Sequence, residues 1–489
     1  MYQLFAPKKI VASKNVLNTE VLLKKKKIHK NDLQVAWAEK SVITIGDEGG
    51  YIILDFGKEM CGGIIISTFL ITSTLKTPFL RTAKIRVRFG ESLTETLCQL
   101  GEKNSTNHHS VRDEERLITG LSTISIGNTG YRFVRIDFYS GFGEVQIKSI
   151  VGTNTILNIP AEFTYNGNDA DVKKIFNVAK RTIDLCSGSG LIWDGIKRDR
   201  LVWIGDLYPE MLSLTSLYGQ TTVLENSLVF ERERAKFKDI WFCTLNTYNA
   251  WFVISCCDYY LRTDGKYKDF ILHNLEYLNE QIKLFLKYVD NNGEMNVPDY
   301  TRFFVDWPCS DCDEDVKAGA RFIFMIAADK MRQVLKLLGK DCTDAEKLYN
   351  YLNNGDKSVK YKKQVIGLKY IATGEISDEE YGKLILNRTQ GFSTFMSYPI
   401  LTAIASRDKN LAITFMKEYY GAMIDKGATT FWEDFDVSWV NGSCGIDVIP
   451  EENEKDIHGD FGSYCYKGFR HSLCHAWSSG VIAFIKEYC

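Results

Sequence analysis

The sequence predicts a multidomain protein of mixed class, with an antiparallel β-sandwich over residues 1–160 and a closed arrangement of paired helices over 161–489. Three observations carry this. The chain has 489 residues, where single domains hold ~100–200. Apolar residues recur with period two before Pro160. They recur at three-and-four spacing after it.

The first half holds six short alternating runs between Tyr51 and Leu157, YIILDF, GGIIIST, KIRVRFG, STISIG, YRFVRIDFYS and VQIKSIVG, parted by Gly, Asn, Ser and Thr. Short period-two runs between turn residues are the pattern of antiparallel strands stacked face to face. The lysine run Lys24–Lys27 has no interleaved aromatics and reads as a solvated edge or loop. In the second half, the runs beginning at Asp171, Tyr267, Val316 and Leu411 predict helices with one apolar face. Strands followed by helices, rather than alternating with them, exclude a parallel βαβ sheet. A helical region of this size must close on itself, and a toroid of helix pairs is the economical solution.

Apolar residues are 45% and charged residues 25% of the chain, with a formal net charge of -2. This balance excludes disorder and offers no global field to nucleic acid or anionic lipid. A neutral substrate suits it. The opening MYQLFAPKKIVASKN lacks an apolar leader core, and no ~18-residue apolar run occurs, which predicts a cytoplasmic protein off the membrane. Thirteen scattered cysteines, two adjacent at Cys256 and Cys257, make a poor disulfide framework and read as free thiols.

Chemistry-bearing residues concentrate in four segments. WDGIKRDRLVWIGDLYPEM (193–211) holds Asp194, Asp199 and Asp206 beside Arg198, Arg200 and two tryptophans. Pro209 places a helix start there with Asp206 at its N-terminus, so the carboxylates lie in a loop at a helix entrance. GATTFWEDFDVSWVNG (427–442) sets Glu433 after Trp432, NVPDYTRFFVDWP (296–308) carries Asp306 and Trp307, and CYKGFRHSLCHAWSSG (465–480) carries Arg470, His471, His475 and Trp477. Aromatic planes accept the C–H faces of a pyranose while Asp and Arg meet its hydroxyls. Two carboxyls, one protonated and one ionised, are what glycoside hydrolysis requires. Structural readings stand beside these: an Asp–Arg network fixing a helix start, a solvated helix-end charge at Glu433, and satisfied core histidines. Cys309–Cys312 is the single CxxC and lies far from the late histidines and from Cys465 and Cys474, so neither metal nor organic cofactor is expected.

Asp194-Gly-Ile-Lys-Arg-Asp-Arg-Leu-Val-Trp-Ile-Gly-Asp206 resembles the signature of the bacterial α-L-rhamnosidases of glycoside hydrolase family 78. Thr429–Glu433, Asp306-Trp307 and Ser472–His475 are similar to further segments of that family, in its order, and LDFGKEMCGGI and RFGES resemble its sandwich. The resemblance implies an (α/α)6 barrel preceded by a β-sandwich, and an inverting exo-hydrolase releasing terminal α-L-rhamnose. It makes Asp199 the general acid and Glu433 the base. It sets Asp194, Asp206, Asp306 and His475 on sugar hydroxyls, Arg198 behind the acid-bearing loop, and Trp203, Trp307 and Trp432 in an apolar wall. Best-known members carry Glu where this chain has Asp199, so its loop must approach the glycosidic oxygen more closely. The donor must hold a proton near neutral pH, favoured by burial against Trp203 and by Asp194 and Asp206, and opposed by Arg198 and Arg200. Other readings are an exo-hydrolase for a uronic acid or another deoxyhexose, and a sugar-binding relative without turnover. Sandwich edges and exposed aromatics allow a homodimer.

Overall fold

The computed structural model describes residues 2–23, 28–72, 82–234, 241, 244–463 and 466–489. The lysine run Lys24–Lys27 and Cys465 lie outside the described residues. Nine strands form one antiparallel sheet: β1 (Gln3–Phe5), β2 (Lys9–Lys14), β3 (Val16–Leu17), β4 (Ile43–Ile45), β5 (Gly50–Thr72), β6 (Thr82–Gly90), β7 (Asp113–Thr119), β8 (Ser122–Phe138) and β9 (Glu144–Asn154). The main path is β3-β4-β9-β5-β8-β6-β7, with β1 on β9 and β2 on β5.

Two long strands replace four of the six expected runs. YIILDF and GGIIIST are both β5, and STISIG and YRFVRIDF are both β8, paired from Gly50–Phe138 to Thr68–Ser122. Register shifts between Asp55 and Met60 and between Gly62 and Ile64 interrupt the alternation without ending the strand, because a bulge bends a strand and raises its twist. The sheet curls around a core of Ile52, Leu54, Ile64, Ile66, Val87, Phe89 and Tyr131. Strands β1–β4 and β7, short or at an edge, were not predicted. Their side chains are too exposed or too few to show a period.

Helices follow: α1 (Leu93–Leu97) within the sheet region, then α2 (Ala170–Cys186), α3 (Leu207–Tyr218), α4 (Thr222–Arg234), α5 (Asn246–Arg262), α6 (Lys268–Tyr288), α7 (Asp313–Leu337), α8 (Thr343–Asn354), α9 (Lys363–Thr373), α10 (Asp378–Ile385), α11 (Ser397–Ala405), α12 (Lys409–Asp425) and α13 (Val481–Tyr488). The four runs predicted helical are α2, α6, α7 and α12. Asp169 caps α2 by accepting from the Asp171 and Val172 amides, and Asp408 caps α12 through Leu411. Helices α3, α5 and α11 are buried on nearly every side, which hides them from a search for one apolar stripe. Their shared core includes Trp251, Phe252, Tyr259, Phe322 and Tyr420, with Tyr208 and Trp251 stacked at 4.8 Å. No helix among the described residues is long and apolar enough to cross a membrane. The eleven described cysteines are free.

The sheet supports the loops that leave the helices. Arg132 of β8 pairs with Asp55 of β5 and donates to the Gly427 carbonyl, and the Glu59 amide donates to Thr429 Oγ1 at 2.8 Å. Gly130 of β8 lies under the loop after α2. A Cβ there would sit 2.7 Å from Ile196 Cγ1 and 2.9 Å from the Lys197 nitrogen. Gly130→Ala should therefore lower stability by about 1–3 kcal/mol in urea denaturation. An unchanged midpoint would mean that the loop yields freely.

Candidate active site

Three chain segments, remote in sequence, converge beside residues of the sheet region. The first is the loop between α2 and α3. Its base is closed by the Asp194 amide donating to the Leu201 carbonyl at 2.9 Å and by the Leu201 amide donating to Asp194 Oδ1 at 3.0 Å. Its tip carries two successive non-glycine residues in the left-handed region, Asp199 at φ +58° and Arg200 at φ +52°. Such conformations cost ~1–2 kcal/mol per residue and persist where surrounding structure enforces them. The second segment is the extended run after α12, and the third is the stretch before α13. The Glu433 amide donates to the Ser472 carbonyl at 3.0 Å, the His475 amide to the Phe431 carbonyl at 3.1 Å, and the Ala476 amide to the Asp194 carbonyl at 2.7 Å.

Sheet residues lock this junction. Glu91 of the RFGES run accepts from Ser472 Oγ and, at 2.6 Å, from the Leu473 amide. Buried Lys197 reaches Glu91 at 3.0 Å and Glu95 at 3.2 Å and donates to the Phe469 and His471 carbonyls. Burial pushes Glu91 to about 7, against the pull of Lys197.

Arg198 joins the two carboxylates expected to do chemistry. Its Nη1 pairs with Asp199 Oδ2 and its Nη2 with Glu433 Oε1, while its Nε donates to the Arg470 carbonyl at 2.7 Å. The guanidinium lies 4.5 Å from the Tyr466 ring centre, and that ring meets Trp307 edge-on at 5.5 Å. Glu433 Oε2 accepts from the Ser472 amide at 3.0 Å. The Glu433 side chain is 1% exposed and that of Asp199 17%, so Glu433 is the more deeply buried of the two.

Titration follows from burial and like charge. Burial holds the Asp194 carboxyl well above the usual carboxylate range, with Asp199 adding to it. Burial does the same for Asp206, aided by Asp194 and Glu433. Burial alone would weaken the Arg198 cation, but Glu433 and Asp199 reverse this and strengthen it. Burial, reinforced by Arg198, keeps His475 neutral. Its Nε2 lies 3.5 Å from Glu433 Oε1 and 3.9 Å from Asp206 Oδ2.

The expected site residues divide into those facing this junction and those bracing it. Asp199, Glu433, Arg198, Asp206 and His475 come together, and Trp307 joins through Tyr466. Asp206 stands at the N-terminus of α3 and makes no capping bond with its side chain. Asp194 closes the loop with one oxygen. Asp306 accepts from the Trp307 amide at 2.8 Å and from Ser393 Oγ. Trp432, expected in the apolar wall, has a fully buried side chain that meets Phe435 edge-on at 5.6 Å. Trp203 packs on Tyr248 at 6.3 Å and lines a separate cavity of about 260 Å³ with Trp193, Arg200 and Phe230. Arg200 binds Asn128 and lies over Trp193.

Sequence reasoning missed Tyr466, Ser472 and His109, whose Nε2 lies 3.6 Å from Asp199 Oδ1. The doublet His108–His109 is a visible signal, but only the fold brings it beside residue 199. Two groups among the described residues could hold a metal ion: His108, His109 and Asp199, and Glu91, Glu95 and His458. In the second, Lys197 already supplies the positive charge.

Asp306 offers a pH test. Burial, opposed by Ser393 and the Trp307 amide, pushes it to about 7. A carboxyl raised on folding stabilises the protein fully below its unfolded value near ~4, and that contribution is lost as pH rises through about 7. Thermal unfolding should show Asp306→Asn gaining on the parent protein between pH 4.5 and 7.5. A constant difference would contradict the assignment.

No protein-family model matches the chain, and no curated protein is significantly similar to it. Solved structures are similar along its whole length. A rhamnosidase from Klebsiella oxytoca with rhamnose bound shares 18% identity at a TM-score of 0.73, covering 100% of this chain and 96% of that one. A GH78 family rhamnosidase of Bacillus sp. GL1 shares 15% at 0.67, covering 94% and 49%. The Streptomyces avermitilis α-L-rhamnosidase complexed with L-rhamnose shares 15% at 0.61, covering 89% and 42%. The chain thus spans nearly all of the first and about half or less of the others. A curled antiparallel sheet bracing a helical domain is the fold this chain shares with those rhamnosidases.

Proposed function

We propose that the chain is an exo-acting glycoside hydrolase releasing terminal α-L-rhamnose with inversion, built as a β-sandwich over 1–160 and an (α/α)6 barrel over 161–489. Asp199 protonates the leaving oxygen, and Glu433 takes a proton from the attacking water. Asp206, His475, Trp307 and Tyr466 bind the sugar. The observation that carries the reading is that one guanidinium spans both carboxylates. Two ordinary hydrogen bonds and the width of that fork keep the nearest oxygens within about 8 Å of each other, close enough for both carboxyls to flank one glycosidic bond. Each Glu433 oxygen keeps a lone pair beyond the bond it accepts. Arg198 is committed to two carboxylates and is not free to bind a sugar carboxylate, which favours a neutral deoxyhexose over a uronic acid.

The test is NMR of the freshly formed sugar from a panel of α-linked glycosides. The β anomer of L-rhamnose should appear first. First appearance of the α anomer would require a retaining mechanism, and absence of turnover across the panel would remove the hydrolase reading.

A further inference from the structure

We propose that His108, His109 and Asp199 bind one divalent transition-metal ion of the zinc class, and that the bound ion switches hydrolysis off. Binding needs nothing from the proposed activity, whereas the switching rests on the reading of Asp199 as the general acid. Each of the three residues offers one donor atom, and these atoms lie within 4.8 Å of one another. His109 Nε2 stands 3.6 Å from Asp199 Oδ1, too far for a hydrogen bond. It is close to the ~3.4 Å that separates a nitrogen and an oxygen ligand on tetrahedral zinc, given bonds of ~2.0–2.2 Å.

The donor atoms are uncommitted. Arg198 Nη1 takes Asp199 Oδ2, and among the described residues no group donates a hydrogen bond to Oδ1. The two imidazole rings lie 3.9 Å apart between centres, tilted at 66°, and make no hydrogen bond to the described residues. Imidazole nitrogen and carboxylate oxygen are both ligands that suit zinc, with water in the fourth position. The His109 side chain is 29% exposed, so an ion enters from solvent. The Glu91, Glu95 and His458 group differs, being buried and already neutralised by Lys197.

Hydrogen bonds close to the ligands hold the two loops together. Ser110 Oγ, one residue beyond His109, donates to the carbonyl of Lys197, two residues before Asp199, and lies 2.9 Å from Thr129 Oγ1. Asn107 Oδ1 accepts from the Arg112 and Asp113 amides at 3.0 and 3.2 Å, which closes the histidine loop from its other side. A site preassembled in this way loses less on binding. Neighbouring charge sets its strength. Arg198 and Arg470 both act on His108 and weaken the hold on a dication, so the ion is exchangeable rather than permanent. Arg198 is itself shared with Glu433 and does not cancel the Asp199 charge alone. With Arg198 on Oδ2 and the ion on Oδ1, neither oxygen of Asp199 has a proton to give a leaving group.

The experiment is calorimetric titration of zinc chloride into the whole reduced chain after treatment with EDTA. The parent should bind one ion beyond any bound by His108→Ala or by His109→Asn, whose asparagine tolerates the φ of +65° at that position. Loss of either ligand should weaken this ion at least ~100-fold, since removing even a group behind a ligand costs ~10–100-fold. The thiols are common to all three proteins and drop out of the comparison. Saturating zinc should lower kcat of the parent on alkyl α-L-rhamnosides at least ~10-fold, a part of the ~10²–10⁴ that a general acid supplies. EDTA should restore the rate, and His108→Ala should keep its own metal-free rate at the same zinc concentration. No ion bound by the parent, or equal binding by the parent and either variant, would overturn the site. Bound zinc that leaves turnover unchanged would overturn the switch. If no α-L-rhamnoside is hydrolysed even without metal, the hydrolase reading fails on its own, and the titration still decides the site.

Discussion

Glu433→Gln should lower kcat on α-L-rhamnosides by roughly 10²–10⁴-fold, by about the same factor whatever the leaving group. In the proposed mechanism Glu433 acts on water, and the departing group does not enter that proton transfer. Asp199→Asn should behave differently, costing little with a nitrophenyl leaving group and most with an alkyl one, where protonation limits bond breaking. The Gln variant also meets a local conflict. Both Glu433 oxygens face donors, Arg198 Nη2 on one side and the Ser472 amide on the other, so the new NH2 must oppose one of them. Its backbone is held independently by Thr394 Oγ1 and Trp477 Nε1, which donate to the Glu433 carbonyl at 2.8 and 2.9 Å. The variant should therefore fold, and circular dichroism with a urea melt separates lost chemistry from lost structure. A Gln variant retaining full turnover would assign the base elsewhere.

Arg198→Met should cost about 3–5 kcal/mol of stability, the penalty for removing one partner of a buried pair and leaving the other charge uncompensated. Asp194, Asp206 and Glu433 are all buried, and the Arg198 guanidinium is the cation bonded directly to both Asp199 and Glu433. Met matches much of the stem's volume but supplies no donor. Arg198→Lys should recover only part of the loss, because an ammonium is a point charge and cannot fork between two carboxylates while donating to the Arg470 carbonyl. Urea denaturation of the three proteins measures this order. Equal stability of the Met variant and the parent would show that the acids adjust their protonation at no cost, and the bridging role would fall.

How far the sequence reaches can be seen residue by residue. Helices α2, α6, α7 and α12 were legible because each buries one face, and apolar spacing records that. Helices α3, α5 and α11 were not, because burial on all sides erases the stripe. Bulges within β5 and β8 made two strands look like four, since a register shift and a turn interrupt alternation in the same way. At the site, Asp199, Glu433 and Arg198 were named from residue type and motif likeness, and the structure joins them.

Composition reports that an aromatic or a carboxylate is present, not which way it points. Trp432 follows Phe431 into the core and packs on Phe435, and Asp306 accepts from the Trp307 amide and Ser393 Oγ. Tyr466 and His109 gave no signal tying them to the loop at 194–206. Composition, periodicity and motif spacing by themselves determined the division into strands and helices and the residue types of the proposed two-carboxylate centre. Only the tertiary structure decided which side chains meet, because hydrogen bonds such as Ser110 to Lys197 and Glu91 to Leu473 link positions that no local pattern connects.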